Sequence, residues 1–471
     1  MKRSVLTHYL VVSMACVLCG CMEKRLETKP FVAKVKVNEA DCFRCYGGTH
    51  FLRELSEVAD IELIFSGLEK NETQRFLEIN GVGNNDEGLK FTVVSESSLY
   101  NSFDKFGTTE LHVFDTEGKE LCSFPLNSKT IAGKIARIRA CGRDMMQRNP
   151  PRLDLQYNSG ILELSVSDAY YLVTNRTMNC CELFDKKGHS LFQIDAMQID
   201  PLEIFPEMKR HEKYANYLKN AGMLACRIEN ARMIDDEAWL KVIVPYIDVR
   251  NDSVIQEVKT CHILYSKNTE SWSQQVVYDS KEKPLETIGN VRCGGNYYGV
   301  SMSFLETGAL EYDCLSMAGV DKALRVDEIK KINVPDFVRI PHFVNEAKIK
   351  DGLLAFGFTD FLYDLEIDTV YWLPINCNPQ MTGMGTTSFN VTTDGHVVDW
   401  AFDGESLAVV YYDAKQRQCQ YLFKDNPTED ISITPLLFGE ELKCPALCLI
   451  SPNVLYYLDS ENRVQVTLMP F

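Results

Sequence analysis

The chain has 471 residues, of which 45% are hydrophobic and 24% charged, and its formal net charge is −17 at pH 7. That length holds two domains, and that apolar content fills sizeable cores, which excludes a disordered chain. The acidity excludes the basic stripe typical of nucleic-acid binding, and the net field repels polyanions.

Residues 1–21 read as an export signal. Lys2 and Arg3 form a basic start, and Val5 to Leu18 is an apolar run. The run is short for a membrane span of about 20 residues, and charged residues follow it at once. An ordinary secretory signal or a membrane helix is the alternative. Leu18-Cys19-Gly20-Cys21 resembles the lipobox of bacterial lipoproteins. The resemblance implies cleavage before Cys21 and lipidation of Cys21. The chain is then anchored to the outer or cytoplasmic membrane, periplasmic or surface-exposed in the cell envelope, since two or more acyl chains hold stably. Without Lys2 and Arg3 the mature chain keeps 47 basic and 66 acidic residues.

Of the 17 cysteines, Cys16 and Cys19 leave with the signal and Cys21 is lipidated, so 14 remain. Many, such as Cys261, Cys314 and Cys419, sit in strand-like runs and read as small buried hydrophobes. The adjacent Cys180 and Cys181 point to opposite faces of a strand and also read as core. Cys444 and Cys448 read as core too.

Residues 22–30 form a polar tether. Strand and helix patterns then alternate. Phe31 to Val37 is a strand, Tyr46 to Ala59 a helix, Ile61 to Phe65 a strand and Leu68 to Ile79 a helix. Leu89 to Val94 is a strand, Leu111 to Phe114 and Glu120 to Phe124 a hairpin, and Thr130 to Cys141 a helix. Asp41-Cys42-Phe43-Arg44-Cys45 stands between the first strand and the first helix. On that motif and that order, residues 31–141 resemble the thioredoxin fold, with one strand more than its core needs.

The resemblance implies a redox pair. A helix N-terminus favours the thiolate, and with Arg44 nearby the thiol pKa falls into a range of about 3.5–7.5. Cys42 is then the nucleophile and Cys45 the resolving thiol. Two features oppose turnover. Thr108, Thr109 and Glu110 stand where the fold carries a cis-proline. Asp41 stands where a tryptophan is usual, and an acidic neighbour raises the thiol pKa. A structural disulfide, or a reduced pair in a domain without turnover, is the competing reading. A zinc site from Cys42, Cys45, His50 and Cys122 lacks the second CxxC such sites often have. No cofactor or metal is expected.

Residues 142–151, with Gly142, Asn149, Pro150 and Pro151, read as a linker between domains. Arg152 to Tyr157 alternates as a strand and is expected to add to the last sheet of the chain. From Ile161 onward the sequence repeats. Six apolar or aromatic strands run into polar turns at Asp185, Ser266, Asp313, Asp364, Asp413 and Asp459. The intervals are 81, 47, 51, 49 and 46 residues. The last four match the period of roughly 40–50 residues of four-stranded propeller blades, and the first adds an insertion of about 34 residues. The insertion, 201–222, contains a helical run from Met208 to Leu218. The aspartates read as turn formers rather than metal ligands. The period and pattern of 152–471 resemble the TolB-like six-bladed propellers of bacterial lipoproteins, a match that carries no catalytic residue.

The expectation is therefore an α/β thioredoxin-like domain followed by an all-β six-bladed β-propeller. No serine-histidine-aspartate order and no His-Glu-x-x-His motif occurs. The first functional reading is a binding or scaffold protein whose propeller holds a peptide, glycan or protein partner. The alternative is a thiol-disulfide oxidoreductase using Cys42 and Cys45.

Overall fold

A computed structural model describes residues 29–37, 50–65, 70–79, 91–94, 109–126, 130–146, 150–211, 213, 225–234, 236–250, 253–267, 272–276, 289–293, 296–304, 310–320, 323–331, 347–351, 353–356, 361–364, 369–373, 380–382, 390–392, 395–413, 415–424, 432–436 and 445–469. The chain divides into two compact units. The first holds residues 1–131 and 142–148, the second 132–141 and 149–471. The signal segment 1–21, Cys21 included, lies outside the described residues.

The first unit is built on β1 (Phe31–Val37), α1 (His50–Leu55), β2 (Ala59–Phe65), α2 (Lys70–Ile79), β3 (Phe91–Val94), β4 (Glu110–Asp115) and β5 (Glu120–Pro125); a helix, α3 (Ile131–Met145), follows, of which residues 132–141 count with the second unit. Its sheet has the order β3-β2-β1-β4-β5. The strands β1, β2 and β3 run parallel, while β4 is antiparallel to β1 and β5 to β4. Period-2 alternation decides the faces. Phe31, Ala33, Val35 and Val37 on β1 are buried, as are Leu111 and Val113 on β4 and Phe51, Leu52 and Leu55 on α1.

The alternate residues carry charge. Lys34 pairs with Glu62 at 3.3 Å and Lys36 with Glu110 at 3.2 Å. The ring of His112 lies between Glu120, at 2.7 Å, and Glu110, at 3.3 Å. All but His112–Glu110, which share β4, are cross-strand pairs, the unit of sheet stabilisation.

The expected linker is shorter than the sequence suggests, because α3 continues through Met145. Gly142 is the reason. A β-carbon there would stand 2.6 Å from the Val58 β-carbon and 2.9 Å from the Phe31 ring, so only glycine lets the last turn approach that core.

The second unit is a succession of antiparallel sheets, each built from consecutive strands. The first holds β6 (Leu162–Val166), β7 (Tyr170–Asn175), β8 (Cys180–Asp185) and β9 (Ser190–Asp195). The second holds β10 (Arg227–Ile234), β11 (Glu237–Arg250), β12 (Ser253–Lys267) and β13 (Trp272–Val276). The third holds β14 (Gly289–Cys293), β15 (Asn296–Phe304), β16 (Leu310–Val320) and β17 (Ala323–Lys331). The fourth holds β18 (Ala347–Lys350), β19 (Leu353–Phe356), β20 (Phe361–Asp364) and β21 (Thr369–Trp372). A two-stranded sheet, β22 (Gln380–Thr382) and β23 (Asn390–Thr392), follows. The fifth four-stranded sheet holds β24 (Gly395–Phe402), β25 (Leu407–Asp413), β26 (Gln418–Lys424) and β27 (Ser432–Pro435). The last holds β28 (Leu447–Ser451), β29 (Val454–Leu458) and β30 (Val464–Leu468).

A lone sheet leaves its apolar faces wet, so these sheets pack on one another. One core joins Leu172 and Leu183 of the first sheet to Leu240 and Ile263 of the second. Another joins Leu353 and Leu362 of the fourth to Trp400 and Val409 of the fifth. A third joins Ala408 and Tyr421 of the fifth to Leu449 and Leu455 of the last. Strand β14 lies against β18, and β28 against β6, so the last sheet meets the first.

Backbone pairing ties that last seam. Arg152 bridges to Arg463, Leu153 N donates to Asn462 O at 2.9 Å, and Val464 N donates to Pro151 O at 2.9 Å. Only this single bridge forms, not the full strand expected for Arg152 to Tyr157. The reason is visible at Gln156. Its N–H donates to the buried Glu182 carboxylate of β8 at 3.0 Å, which draws the segment from the last sheet towards the first. Tyr171 and Tyr456 meet across the same seam with ring centroids 6.5 Å apart and planes tilted by 51°, and Lys186 covers both rings at 4.2 and 5.2 Å.

Several turn assignments change. Asp185, Asp413 and Asp459 do form turns: each Oδ1 accepts two backbone N–H groups, at 2.8–3.0 Å. Ser266 and Asp313 lie inside strands instead. Ser266 pairs with Ser273, and Asp313 pairs with Ser301 and Lys331. Cys314 and Leu315 carry the strand on past Asp313, while Ser266 stands one residue before β12 ends at Lys267. The markers are also not equivalent, for Asp185 and Asp364 end third strands whereas Asp413 ends a second strand. Asp364 is buried and accepts from Tyr371 Oη at 3.2 Å.

The insertion differs too. A short α4 (Pro201–Ile204) is followed by a 3-10 turn, Pro206–His211, where an α-helix from Met208 was expected. Met208 is buried, and its Sδ accepts from Ile247 N at 3.2 Å on the long β11–β12 hairpin. Most of 212–224 lies outside the described residues.

A pH dependence follows from β4. Burial alone would lower the His112 pKa, but hydrogen bonds to Glu110 and Glu120 outweigh it and raise the pKa above the ordinary 6.5. His112 therefore stabilises the fold fully below pH 6.5, and this contribution fades as pH rises through the raised folded value. Denaturant unfolding of wild type and His112→Gln between pH 5 and 9 checks it. The variant is expected to lose most below pH 6.5 and little at the alkaline end.

Candidate functional site

The first strands of the sheets in the second unit bring charge together. Strand β6 lies against β10 and β28, and β24 lies against β28. Lys350 ends β18, Asp399 lies on β24 and Cys448 on β28. Lys350 Nζ donates to Asp399 Oδ2 at 2.7 Å and to Leu449 O of β28 at 2.5 Å. The same Asp399 Oδ2 accepts from Leu449 N at 2.7 Å. The Lys350 carbonyl accepts from Trp400 Nε1 at 3.0 Å. Three sheets are thus joined by one ammonium, one carboxylate and one indole.

Local backbone explains the aim of these groups. A β-bulge between Val397 and Asp399 breaks the alternation on β24. Lys350 pairs directly with Leu353, so Asp351 and the next residue make a two-residue hairpin loop. Asp351 takes φ 53°, the left-handed region that aspartate tolerates in such turns. Its Oδ2 accepts from Phe402 N at 3.1 Å.

Arg232 on β10 and Arg137, in the stretch 132–141, complete the group electrostatically. Arg232 interacts with Asp351 and Asp399, and Arg137 with Asp351. Arg137 also donates to Ile450 O. Arg232, Lys350, Asp351 and Cys448 are desolvated, whereas Arg137 is exposed. Burial pulls the Arg232 pKa down to about 10 and raises that of Asp351. Burial also pushes the Cys448 thiol up to about 11, with Lys350 opposing. Lys350 resists its own burial, because Asp399, Cys448 and Asp351 raise its pKa. Yet the Lys350 and Asp399 side chains keep 24% and 18% of their surface, and Arg232 is half-buried.

Cys42 and Cys45 lie in 38–49, outside the described residues. Thr109 is fully buried just before β4, and no peptide bond among the described residues is cis. His50 keeps 78% of its side-chain surface and pairs with Glu54 at 3.6 Å, while Cys122 is buried in β5. Cys122, Cys141, Cys180, Cys181, Cys226, Cys261, Cys419 and Cys448 are all free thiols in the core. Cys314 and Cys444 have no described side chain.

The axial group was not found from sequence. One signal was present: Arg232 and Asp399 are single charges inside short apolar runs, Ala231-Arg232-Met233 and Val398-Asp399-Trp400, whereas Lys350 stands among Lys348 and Asp351. A charge there either faces solvent or meets a partner, and sequence alone does not say which.

No protein-family model and no curated protein matches the chain. Solved structures of propeller-like proteins are similar to it in fold. Streptogramin B lyase shares 11% identity over 68% of this chain and 87% of its own, with a TM-score of 0.31. The YCF48 protein of Cyanidioschyzon merolae shares 10% over 68% and 99%, with a TM-score of 0.31. AztD of Citrobacter koseri shares 9% over 74% and 86%, with a TM-score of 0.31. At such values the likenesses carry no functional argument.

The Lys350–Asp399 pair makes a sharp prediction. Removing one partner leaves a buried charge uncompensated, which typically costs about 3–5 kcal/mol. Lys350→Met is expected to destabilise the protein by about that amount. The double variant Lys350→Met/Asp399→Leu is expected to recover part of the loss. A double-mutant cycle by chemical denaturation measures both.

Proposed function

We propose that this chain is a lipid-anchored binding protein of the cell envelope, whose second unit is a six-bladed β-propeller that holds its ligand at the axis. The propeller reading rests on six sheets of three or four strands among the described residues, each a simple meander. Their first strands neighbour one another, and the last sheet lies on the first. A closed ring has no free sheet edge at the seam and places the first strands around an axis. Anchoring through Cys21 remains the reading of the lipobox; loss of detergent-phase partitioning in Cys21→Ser tests it.

The observation that carries the binding reading is the accessible charge of Arg232, Lys350 and Asp399 in a desolvated space. Stable folds bury charge only when it is paired or used. Apolar side chains fill a ring more cheaply, so charge kept at the axis points to recognition. Peptide and glycan arrays probed with the full-length chain in detergent test this. A ligand bound at least ten-fold more weakly by Arg232→Gln supports it, and a binding profile indifferent to that change sinks it.

A second reading has its own support. In the first unit, β2-β1-β4-β5 pair as parallel, antiparallel and antiparallel strands, the arrangement of a thioredoxin core, with β3 added at the edge. The chain between β1 and α1 is where that fold carries its reactive cysteines, and Cys42 and Cys45 stand there. This supports a thioredoxin-like domain and a thiol-disulfide oxidoreductase as the alternative. Thr109 in place of a proline speaks for binding over turnover. Insulin reduction by the full chain, lost in Cys42→Ser, would reverse that preference.

A further inference from the structure

We infer that the cavity between the insertion of the second unit and the edge strand β13 binds a primary alkylammonium group, carried by a free amine or by a lysine side chain. The cavity shares no residue with the axial group, so the inference does not rest on the axial reading.

The cavity has a volume of about 390 Å³ and is lined by Ile199, Asp200, Glu203, Ile204 and Val276. That is the size of a small-molecule site, roughly 300–1,000 Å³. Its apolar wall belongs to the fold. Ile199 and Ile204 are buried in the core that joins the first two sheets, and Val276 packs against the same core. Val276 pairs with Ile263 of β12, a member of that core, so both stand on one face of the second sheet. The backbone that carries the two acids is pinned as well. Asp200 Oδ1 accepts from Leu202 N at 2.9 Å. Glu203 N donates to Asp200 O at 3.0 Å, and Phe205 N donates to Pro201 O at 2.9 Å. Pro201 at the start of α4 fixes its own φ.

The lining selects the ligand. Three of its five residues are aliphatic and two are carboxylates, and none is a cation. Lys259 does not supply the missing charge, for its ammonium lies over the rings of Phe205 and Tyr246, at 5.3 and 4.0 Å, outside that lining. An anion is repelled here, and a neutral apolar ligand gains nothing from either carboxylate. Calcium takes six to eight oxygens, and among the described residues no group of three His, Cys, Asp or Glu could hold a metal ion. An alkylammonium uses both halves of the lining. Its methylenes lie against Ile199, Ile204 and Val276, and its three N–H groups donate towards Asp200 and Glu203.

The full-length chain in detergent, labelled at the isoleucine δ1-methyl groups, is titrated at neutral pH and followed by nuclear magnetic resonance. The ligands are n-butylammonium, methylammonium, butyrate, and lysine and norleucine with both backbone ends blocked. Ile199→Val and Ile204→Val identify the wall signals by their loss. The expected result is saturable shifts of those signals. The n-butylammonium ion is expected to bind about ten-fold tighter than methylammonium, because it buries three more methylenes. Blocked lysine is expected to bind about ten-fold tighter than blocked norleucine, and Glu203→Gln to weaken it about three-fold. Val276→Trp, which fills the cavity, is expected to abolish the shifts. Glu207→Gln removes an exposed acid outside the lining and is expected to change nothing. Far-ultraviolet circular dichroism shows whether each variant is folded. Equal binding of lysine and norleucine, saturation by butyrate, or unchanged binding in a folded Val276→Trp overturns the inference. Should Val276→Trp not fold, unchanged binding in Glu203→Gln overturns it instead. Blocked lysine bound more tightly than n-butylammonium supports the site and assigns it to a lysine side chain of a protein partner. The reverse order supports it and assigns it to a free amine.

Discussion

The second unit depends on one seam, where the end of the chain meets the start of the unit. The sheets there are small, and each leaves two apolar faces that must be covered. A row of such sheets would leave one face bare at each end. Val464 N to Pro151 O and Leu153 N to Asn462 O put the segment after residue 149 beside β30. Tyr171, Tyr456 and Lys186 fill the same seam from the side chains. Glu182 is the unusual member. Burial raises its pKa, and the hydrogen bond from the Gln156 N–H opposes that rise. A carboxylate in this place trades stability for a fixed path of the closing segment.

Once the first strands face one another, the axis becomes a shared environment. A lysine at the end of β18, an aspartate beside a bulge in β24 and a backbone amide of β28 meet there. Each of them comes from a different sheet. Charge in that place is desolvated by the surrounding strands, which strengthens each pairing and makes each vacancy expensive. The same geometry therefore holds three sheets together.

The cysteines take the opposite part. Burial pushes the thiols of Cys180 and Cys226 up to about 11 and 12, so neither is a thiolate at neutral pH. They pack as small apolar side chains, like Cys181 and Cys261 beside them in the core of the first two sheets. The first unit shows a similar division on its central strand. One face of β1 is wholly apolar, while Lys34 and Lys36 on the other are matched by acids from β2 and β4.

The sequence by itself determined the elements, because alternation and short-range turn chemistry are local. The order of strands and helices in residues 31–145 is legible from period, and Asp185, Asp413 and Asp459 make the turns their side chains allow. It also placed Cys42 and Cys45 between β1 and α1. It misjudged Ser266 and Asp313, since a polar residue in a long strand looks like a turn until its partner strand is known. It did not reveal that Gly142 extends α3, because the crowding comes from Val58 and Phe31, far away in sequence. Only the tertiary structure decided the axial group. Arg232, Lys350, Asp399 and Leu449 are separated by at least 49 residues, and no local pattern relates them. They meet because small sheets must cover one another's faces, and that packing draws their first strands together.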